Sequence, residues 1–544
     1  MNGKLRRDLT LYDFMMISAG AVLGSGWLFG AFYSAQYAGP AAIVAWIIGG
    51  LLMMILALPL AEIASGFPEA GSMVRYPSLS HGSFLSALQG WSLLFGYGLS
   101  PAIEAEASVQ YAGGYIHGLY NGTTLTSAGL GVTAFMVVIY FVINYFGVRL
   151  FAKSNSVITT IKYLVPILTM VVLLITGLTH GGGANLSSAS PGGFMPFGFR
   201  GVLVAIAVGG IYFSYTGFRQ AMDLAAEGKN PKRDVPRVMI TVLLLAIILY
   251  VLLQVAFIVA LRHGDLAHGW ARLNFSSPFA QLALALNIGW MAAILYGDSA
   301  LSPFGNGLVY FGSATRLLFA MPKSGYGPKW ARRLSKRGAP VPAMVVVLVM
   351  SLLSLLPFPA WGQMVGILSS VGVMSYALSG VSVAVLRRTT PTTDRPFSLK
   401  GHIRWIGPVA FIVGTLIFYW SGWPLVWQVD AINAGGAVIY FIYRRVNKLS
   451  IADVKAGLWF AIYMVILGVM SYIGSFGKGR GWLPFPLDTV VVIVIGLIFY
   501  YWGVASGFRT QDVIDYENGL NRDFIEEDIE RQRTGTTDGE NLSI

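Results

Sequence analysis

The chain has 544 residues, of which 55% are hydrophobic and only 11% are charged, and its formal net charge is +12. This balance, with a mean hydropathy of +0.65 and recurring apolar stretches of about 20 residues, excludes an ordinary soluble domain and indicates a polytopic membrane protein. The absence of cysteine excludes disulfides, thiolate metal sites and a catalytic thiol. The six histidines show no metal-ligand spacing, and no cleavable signal precedes the first apolar stretch, which is typical of an inner or plasma membrane protein.

Apolar segments predict fourteen membrane-spanning helices, at 11–33, 40–65, 84–116, 128–148, 155–178, 200–225, 236–261, 281–315, 340–357, 361–387, 404–424, 430–445, 456–475 and 486–505. Lysine and arginine precede the first span (Lys4, Arg6 and Arg7) and recur in alternate loops, whereas most of the opposite loops contain neither. Loops 262–280 and 476–485 break this pattern. Because cytoplasmic loops are enriched in these residues, the pattern predicts cytoplasmic N- and C-termini.

Two of the predicted spans are interrupted by glycine. Span 1 contains Gly-Ser-Gly at 24–26, and span 6 contains Gly209-Gly210 followed by a run of hydrogen-bonding side chains. Two such segments are typical of inverted-repeat transporters. Backbone N–H groups at the positive end of a half-helix bind a carboxylate, and free carbonyls accept from an ammonium, so the pattern favours a zwitterionic ligand. The alternative for span 6 is a kinked, glycine-packed helix, with Ser214 bonding back to the preceding turn.

Few ionisable residues lie inside the predicted spans, where each charge costs about 2.5–3.5 kcal/mol to insert and therefore marks a candidate functional group. Lys162 in span 5 is the first candidate for proton coupling, followed by Glu104 in span 3 and Asp298 in span 8. A lysine removed from water can alternate between its charged and neutral forms. The alternative for Lys162 is an ammonium that reaches the cytoplasmic interface. Glu106 points to a different helix face from Glu104, so at most one of these two carboxylates should face a cavity.

Five segments carry a family resemblance: GAVLGSGWLFG in span 1, AEIASGFPEAGS at the end of span 2, GFRQAMDLAAEGKNPKRDVP at the end of span 6, RLLFAMPKSGYGPKW after span 8 and DRPFSLKGHIRWIGP before span 11. In this order, over residues 10 to about 425, they resemble the amino acid–polyamine–organocation (APC) superfamily of transporters. The whole chain looks most like the bacterial aspartate–proton symporter branch of that superfamily.

The resemblance implies an all-α membrane protein of the LeuT type, in which helices 1–5 and 6–10 form inverted repeats and helices 1 and 6 are unwound around the substrate. About four further helices would be peripheral. The implied segments are a cytoplasmic N-terminus at 1–10, a transport core at 11–387 with repeats at about 11–178 and 200–387, peripheral helices at 404–505 and an acidic cytoplasmic tail at 506–544.

The resemblance also implies which residues contact the substrate: Val22, Ser25, Gly26, Phe213, Ser214 and Thr216. Ser25 and Gly26 would bind the α-carboxylate, and the carbonyl of Val22 would accept from the α-ammonium. Phe213 would form an aromatic gate over the substrate. Glu104 is a further candidate for substrate contact.

Two further positions bear on coupling and specificity. Lys162 falls where proton-coupled members of the superfamily carry a lysine in place of a sodium site. The sodium ligands of helix 8 have no clear counterpart, which favours protons over sodium. Many members of the superfamily have a different residue at the position of Arg219. A guanidinium there can bind a second carboxylate in bidentate fashion. The alternative is that Arg219 pairs with Asp223, at i+4 on the same helix face.

These features predict a secondary active transporter that takes up an acidic amino acid, with aspartate favoured, together with protons by alternating access. A cationic or neutral amino acid carrier, a polyamine carrier or an amino acid antiporter remains as an alternative, and a cationic substrate would rely on Glu104 and Glu106. A channel or a membrane enzyme is a third class, but the sequence shows no phosphate-binding loop, nucleophile–base pair or metal cluster. We expect no cofactor, no metal and no nucleic-acid partner, and a monomer or homodimer in the bilayer.

Overall fold

The computed structural model describes residues 9–69, 71–122, 124–146, 148–187, 190–335, 338–356, 361–447 and 449–519. Within these ranges the regular structure is helical, with isolated bridges and no strand. Outside the described residues lie the basic residues before the first span (Lys4, Arg6 and Arg7) and the end of the acidic tail. The all-α fold class is therefore confirmed for the described part of the chain.

The first ten α-helices are α1 Leu11–Val22, α2 Ser25–Ala38, α3 Ala42–Gly66, α4 Ser72–His81, α5 Ser83–Ala112, α6 Ser127–Phe146, α7 Val148–Thr179, α8 Gly198–Val208, α9 Ile211–Tyr215 and α10 Gln220–Asp223. A 3₁₀ turn, Thr216–Arg219, joins α9 to α10. The remaining helices are α11 Pro231–Ala260, α12 Pro278–Ala285, α13 Gly289–Ala320, α14 Val341–Ser354, α15 Trp361–Thr389, α16 Ile403–Trp420, α17 Leu425–Asn447, α18 Ile451–Ile473, α19 Leu487–Ser506 and α20 Gln511–Glu517.

Nine helical segments among the described residues are long and apolar enough to cross a membrane, or ten if the bent pair α8 and α9–α10 counts as one span. Each of the fourteen predicted spans coincides with helical residues, but the number of membrane crossings stays a prediction. One predicted span is wrong in detail, because residues 281–315 are divided between α12 and α13. Asn287, between these helices, has a φ of 61°, a left-handed conformation that asparagine tolerates and that ends a helix.

The centre of the molecule is formed by α5 and α15. The apolar stretch of α15 is 100% buried inside the protein, whereas that of α19 is only 28% buried. Helix α5 packs against α13, α15 and α17 and is buried along most of its length. Helix α19 is therefore more exposed than the central helix α15, and the peripheral position of residues 404–505 stays a prediction.

The two interrupted helices expected from the glycine pattern are present. Helix α1 ends at Val22 and α2 begins at Ser25, so Leu23 and Gly24 lie outside helical geometry. Helices α8 and α9 are separated by Gly209-Gly210, and the helical axes on the two sides differ by 47°. Gly210 has a φ of 88°, which glycine adopts without strain.

The two breaks lie against each other. A Cβ added to Gly217 would lie 2.3 Å from the backbone nitrogen of Val22, and one added to Gly26 would lie 2.5 Å from Oγ of Ser214. Neither position leaves room for a side chain without movement of its neighbours. The absence of side chains at Gly217 and Gly26 therefore allows the unwound segments to meet in the core.

The described beginning of the C-terminal tail packs against the rest of the molecule. Oδ2 of Asp512 in α20 lies 2.9 Å from the guanidinium of Arg75 in α4, and Arg75 also pairs with Glu69 at 2.8 Å. Val513 is buried, and the ring of Tyr516 lies 5.1 Å from that of Phe67. Because α20 offers apolar as well as charged groups, it docks on α4.

Candidate functional site

The polar groups freed at the break between α1 and α2 are bound by side chains from three other helices. The N–H of Ser25 donates to Oε2 of Glu104 on α5 at 2.8 Å, and the hydroxyl of Ser25 accepts from the indole N–H of Trp361 on α15 at 2.9 Å. The hydroxyl of Tyr250 on α11 donates to the carbonyl of Val22 at 2.7 Å. In this conformation, therefore, the groups expected to meet the two ends of a substrate already have partners inside the protein.

The second break presents its hydroxyl groups to its own backbone. The hydroxyl of Ser214 donates to the carbonyl of Gly210 at 2.8 Å, as the kinked-helix alternative expects. The hydroxyl of Thr216 donates to the carbonyl of Phe213 at 2.7 Å and lies 3.4 Å from the hydroxyl of Tyr310. The chain between α8 and α9 is nevertheless unwound, so the segment is a broken helix and not merely a kinked one.

An aromatic cluster closes one side of the two breaks. The ring of Phe213 meets that of Trp361 edge-on, with centroids 5.8 Å apart and an interplanar angle of 85°. Tyr33 stacks on Trp361 at 5.1 Å, and Phe29 lies at the same distance. Phe213 is only 5% exposed. The residue expected to act as a gate thus belongs to a closed aromatic layer in this conformation.

The ammonium of Lys162 lies at the first break and not at the cytoplasmic interface. Lys162 is 2% exposed, and its Nζ donates to the carbonyl of Gly20 at 2.6 Å and to Oδ1 of Asn306 at 3.5 Å. Nδ2 of Asn306 donates to the carbonyl of Ala21 at 3.0 Å and to Oε1 of Glu104 at 3.3 Å. Asn306 therefore connects the lysine to the glutamate, and the interfacial alternative for Lys162 is wrong.

Asp298 and Glu106 are buried carboxyl groups outside this network. Neither has a hydrogen-bond partner within 3.5 Å among the described residues. The Asp298 carboxyl interacts electrostatically with Lys162. Of the ionisable candidates, the structure thus joins Lys162 to Glu104, places Asp298 close enough to act on Lys162, and leaves Glu106 apart.

Arg219 lies between two aromatic rings in the core. The centre of its guanidinium is 4.3 Å from the ring centroid of Tyr97 and 5.4 Å from that of Tyr376. Arg219 is 4% exposed, and its Nε has no hydrogen-bond partner among the described residues. The carboxylate of Asp223 accepts from the hydroxyl of Tyr97 at 2.9 Å. Asp223 and Arg219 interact electrostatically, but they form no ion pair within 4.0 Å, so the alternative of a direct pair is wrong for this conformation.

A narrow cavity adjoins Arg219. Its walls include Tyr97 of α5, Thr216 and Arg219 of the 3₁₀ turn, Tyr310 of α13 and Gly372 of α15. This cavity has room for only about one water molecule. The predicted residues Thr216 and Arg219 therefore share a cavity that must widen before it can hold an amino acid.

Several residues of this region could not be assigned from the sequence. Asn306 lies eight positions after Asp298 and four after Ser302, a spacing that places all three on one helix face. That spacing could have identified Asn306. No feature of the sequence distinguished Trp361 and Tyr250 from other aromatic residues, which are common in this chain at 13% of its residues.

Asp430 was also missed. The predicted span began at 430, which placed this carboxyl at an edge, whereas α17 begins at Leu425 and buries Asp430 to 8% exposure. Among the described residues, no group of three or more histidine, aspartate or glutamate side chains is arranged to hold a metal ion.

The helical membrane fold, the paired broken helices and the buried polar network define the class of protein. The sequence profile of the amino acid permease family matches residues 9–446. Because this match covers most of the chain, the protein belongs to the amino acid permease family, within the APC superfamily that the motifs indicated. It is a multi-pass membrane protein of a family of transporters.

Three relatives show how the chain is placed within this family. The glutamate/serine transporter AimA of Bacillus subtilis (strain 168) is 39% identical over 528 residues, which cover 94% of this chain and 96% of the relative. The aspartate-proton symporter of the same organism is 34% identical over 527 residues, covering 95% and 99%. The branched-chain amino acid permease BcaP, also from B. subtilis, is 26% identical over 457 residues, covering 81% and 94%.

Proposed function

We propose that this protein is a secondary active transporter that carries an acidic amino acid into the cell together with protons. Two relatives of nearly the same length are named for glutamate and serine and for aspartate and protons, which supports this substrate class and this coupling ion. Aspartate and glutamate are the substrates that we place first. A structural feature of this chain also favours an acidic substrate: the guanidinium of Arg219 is buried beside a cavity.

The observation that carries the proposal is a buried guanidinium beside a cavity, with no carboxylate within ion-pairing distance among the described residues. Asp223 acts on this guanidinium electrostatically but makes no direct contact with it. A buried charge without a directly bonded partner is unfavourable, so such groups are normally paired or take up a ligand. Tyr97 and Tyr376 supply cation–π contacts, which hold the guanidinium but do not neutralise it. The side-chain carboxylate of aspartate or glutamate supplies the missing charge and accepts two parallel hydrogen bonds.

The backbone ends of the substrate belong at the two breaks. The N–H groups of Ser25 and Gly26, at the start of α2, bind the α-carboxylate, and the carbonyl of Val22 accepts from the α-ammonium. Ser214 and Thr216 border this position from the second break, and Phe213 gates it with Trp361. The bonds that Ser25 and Val22 now make to Glu104 and Tyr250 must open as the substrate enters.

Proton coupling is assigned to the connected groups Lys162, Asn306 and Glu104, with Asp298 acting on Lys162. The Lys162 ammonium bonds to a carbonyl of α1 and is linked through Asn306 to α5. A change of charge in this network therefore alters contacts among helices that form the substrate site.

The transport cycle is proposed to move the two repeats, residues 11–178 and 200–387, relative to each other, with residues 404–505 at the periphery and both termini in the cytoplasm. The present conformation is occluded, because its aromatic layer is closed and its cavity has room for about one water molecule. Substrate binding therefore requires the cavity beside Arg219 to widen.

The test is uptake by proteoliposomes containing the purified protein, with labelled aspartate, glutamate, serine and arginine offered separately. An inward proton gradient without sodium should drive accumulation of aspartate or glutamate. Empty liposomes and liposomes treated with a protonophore are the controls. Accumulation of arginine but neither acidic substrate would contradict the acidic assignment and favour the cationic alternative, in which Glu104 and Glu106 are counter-charges. Exchange without net accumulation would identify an antiporter.

A further inference from the structure

We propose that Glu104 is an internal competitor of the substrate and that its displacement makes proton uptake obligatory. The inference rests on the proposed function, because it concerns the position assigned there to the α-carboxylate. It goes further by assigning the transported proton to the carboxyl group of Glu104 and by giving a chemical reason for symport.

The first observation is the hydrogen bond of the Ser25 N–H. Ser25 is the first residue of α2, so its N–H lies at the positive end of the half-helix, where an anion is favoured. That N–H is already bound to Oε2 of Glu104 at 2.8 Å. A side chain of the protein therefore fills the position to which the substrate carboxylate is assigned.

The second observation is that Glu104 is held by donors and has no room to share its position. Its other oxygen, Oε1, accepts from Nδ2 of Asn306 at 3.3 Å. A Cβ added to Gly24 would lie 2.6 Å from Oε1 of Glu104 and 1.9 Å from Nδ2 of Asn306. The glutamate and asparagine thus press directly on the unwound backbone, and a second carboxylate can enter only if Glu104 moves.

The third observation is the charge around Glu104. The ammonium of Lys162 faces it from α7, and Asp298 faces that ammonium from α13. The neutral hydroxyls of Tyr140, Tyr250 and Tyr310 interact with it from α6, α11 and α13. Lys162 is the cation that balances the Glu104 carboxylate, whereas a substrate carboxylate would add a second negative charge beside it.

These observations give a balanced exchange. The substrate carboxylate takes the N–H of Ser25, and the carboxylate of Glu104 leaves it and accepts one proton, becoming a neutral carboxyl group. An ionised carboxylate released into this apolar core without the Ser25 bond would be strongly disfavoured, so proton uptake accompanies binding. When the substrate leaves, Glu104 loses its proton and returns to Ser25.

The experiment measures the dissociation constant of aspartate for the purified full-length protein between pH 5 and pH 8, by calorimetry or competition. Uptake of one proton per substrate should tighten binding about tenfold for each unit of falling pH in the range where Glu104 titrates. In Glu104→Gln the Kd should be independent of pH, and at pH 8 binding should be tighter than in the unmodified protein. Counterflow exchange should persist in this variant, while proton-driven accumulation should be lost.

Asp430→Asn is the matched control, because Asp430 is a buried carboxyl on α17, outside the proposed substrate site, and has no hydrogen-bond partner among the described residues. This variant should keep the pH slope.

A folded Glu104→Gln protein that keeps the slope, or that binds no amino acid, would overturn the inference, and a thermal melt establishes folding. If the unmodified protein binds serine with the slope but not aspartate, the acidic assignment fails and this inference stands. Binding of either amino acid without a pH slope overturns this inference alone.

Discussion

At the scale of single residues, Arg219 determines the substrate assignment. Its guanidinium is in contact with two tyrosine rings, borders the cavity and has no carboxylate partner among the described residues. Asp223 interacts with Arg219 electrostatically, but its carboxylate bonds to Tyr97 and makes no ion pair with Arg219 within 4.0 Å. The specificity of transport should therefore depend on the geometry of the guanidinium as well as on its charge.

Arg219→Lys keeps the charge but removes the planar fork that can hold a carboxylate by two bonds. We expect aspartate binding to weaken by about 1.5–3 kcal/mol, or about 10- to 150-fold, because a hydrogen bond to a charged group contributes that much. Serine binding should change by less than about threefold, because serine has no second carboxylate. Competition binding with both amino acids measures this difference. Equal losses for serine and aspartate would show that Arg219 only supports the fold.

Lys162→Ala removes the ammonium that balances Glu104. Without this counter-charge, Glu104 should be neutral both with and without substrate, so that substrate binding takes up no proton and loses its pH dependence. Transport measured as a function of pH in proteoliposomes checks this expectation. Lys232→Ala is a suitable control, since Lys232 is 38% exposed in a surface ion pair with Asp394. An unchanged pH profile in Lys162→Ala would exclude Lys162 from coupling.

The sequence was informative about residues that are unusual for a membrane helix and uninformative about ordinary ones. Lys162 and Arg219 could be singled out because a charge in an apolar segment needs a reason. The partnership of Glu104 with Ser25 could not be predicted, since it joins residues 79 positions apart. The sequence also could not show whether Arg219 pairs with Asp223 or borders a cavity. The answer depends on Tyr97 of α5, which is distant in sequence and donates a hydrogen bond to Asp223.

At the scale of helices, the two breaks depend on glycine at their closest approach. The Cβ of an alanine at 217 would lie 2.3 Å from the nitrogen of Val22 and 2.4 Å from the carbonyl carbon of Ala21. Both are backbone atoms, so no side chain can rotate away to make room. The close packing of α1 against the 3₁₀ turn therefore requires Gly217.

Gly217→Ala should separate the two breaks and reduce uptake at least tenfold, with lower thermal stability. Gly297→Ala is the matched control, because Gly297 lies within α13 and an added Cβ would meet nothing within 4 Å. That variant should transport normally and be as stable or slightly more stable, since alanine favours a helix over glycine by about 1 kcal/mol. Normal uptake by Gly217→Ala would show that the close approach is not needed for transport.

Helix breaks could be predicted where glycine marked them and not elsewhere. Gly-Ser-Gly and Gly-Gly identified the interruptions of the first and sixth helices. The end of α12 depends on the left-handed conformation of Asn287. The surrounding sequence is apolar and does not indicate a helix end at this position. The docking of α20 on α4 through Asp512 and Arg75 is a contact between distant parts of the chain, so local composition could not reveal it.

At the scale of the whole molecule, the structure is occluded, and alternating access must open it. The chain contains no cysteine, so a single introduced thiol can report on accessibility without background. Leu368 lines the cavity beside Arg219 and is 8% exposed, whereas Asp394, in the loop between α15 and α16, has a side chain that is 74% exposed. These two positions differ strongly in the access that they now offer to a reagent.

Leu368→Cys should react slowly with a membrane-impermeant maleimide in the absence of substrate and faster, from the cytoplasmic side, when aspartate is transported. The reason is that the cavity must widen toward the cytoplasm to release its substrate. Asp394→Cys should react rapidly under both conditions, because its side chain is exposed in a loop. A Leu368→Cys reaction rate that aspartate does not change would argue against opening through this cavity.

The most direct test of the central claim is a structure of the protein with aspartate bound. We predict the α-carboxylate at the N–H of Ser25, the side-chain carboxylate at the guanidinium of Arg219, and Glu104 displaced from Ser25. Aspartate bound away from both broken helices, with Glu104 still bonded to Ser25 and Arg219 without a carboxylate, would contradict the account.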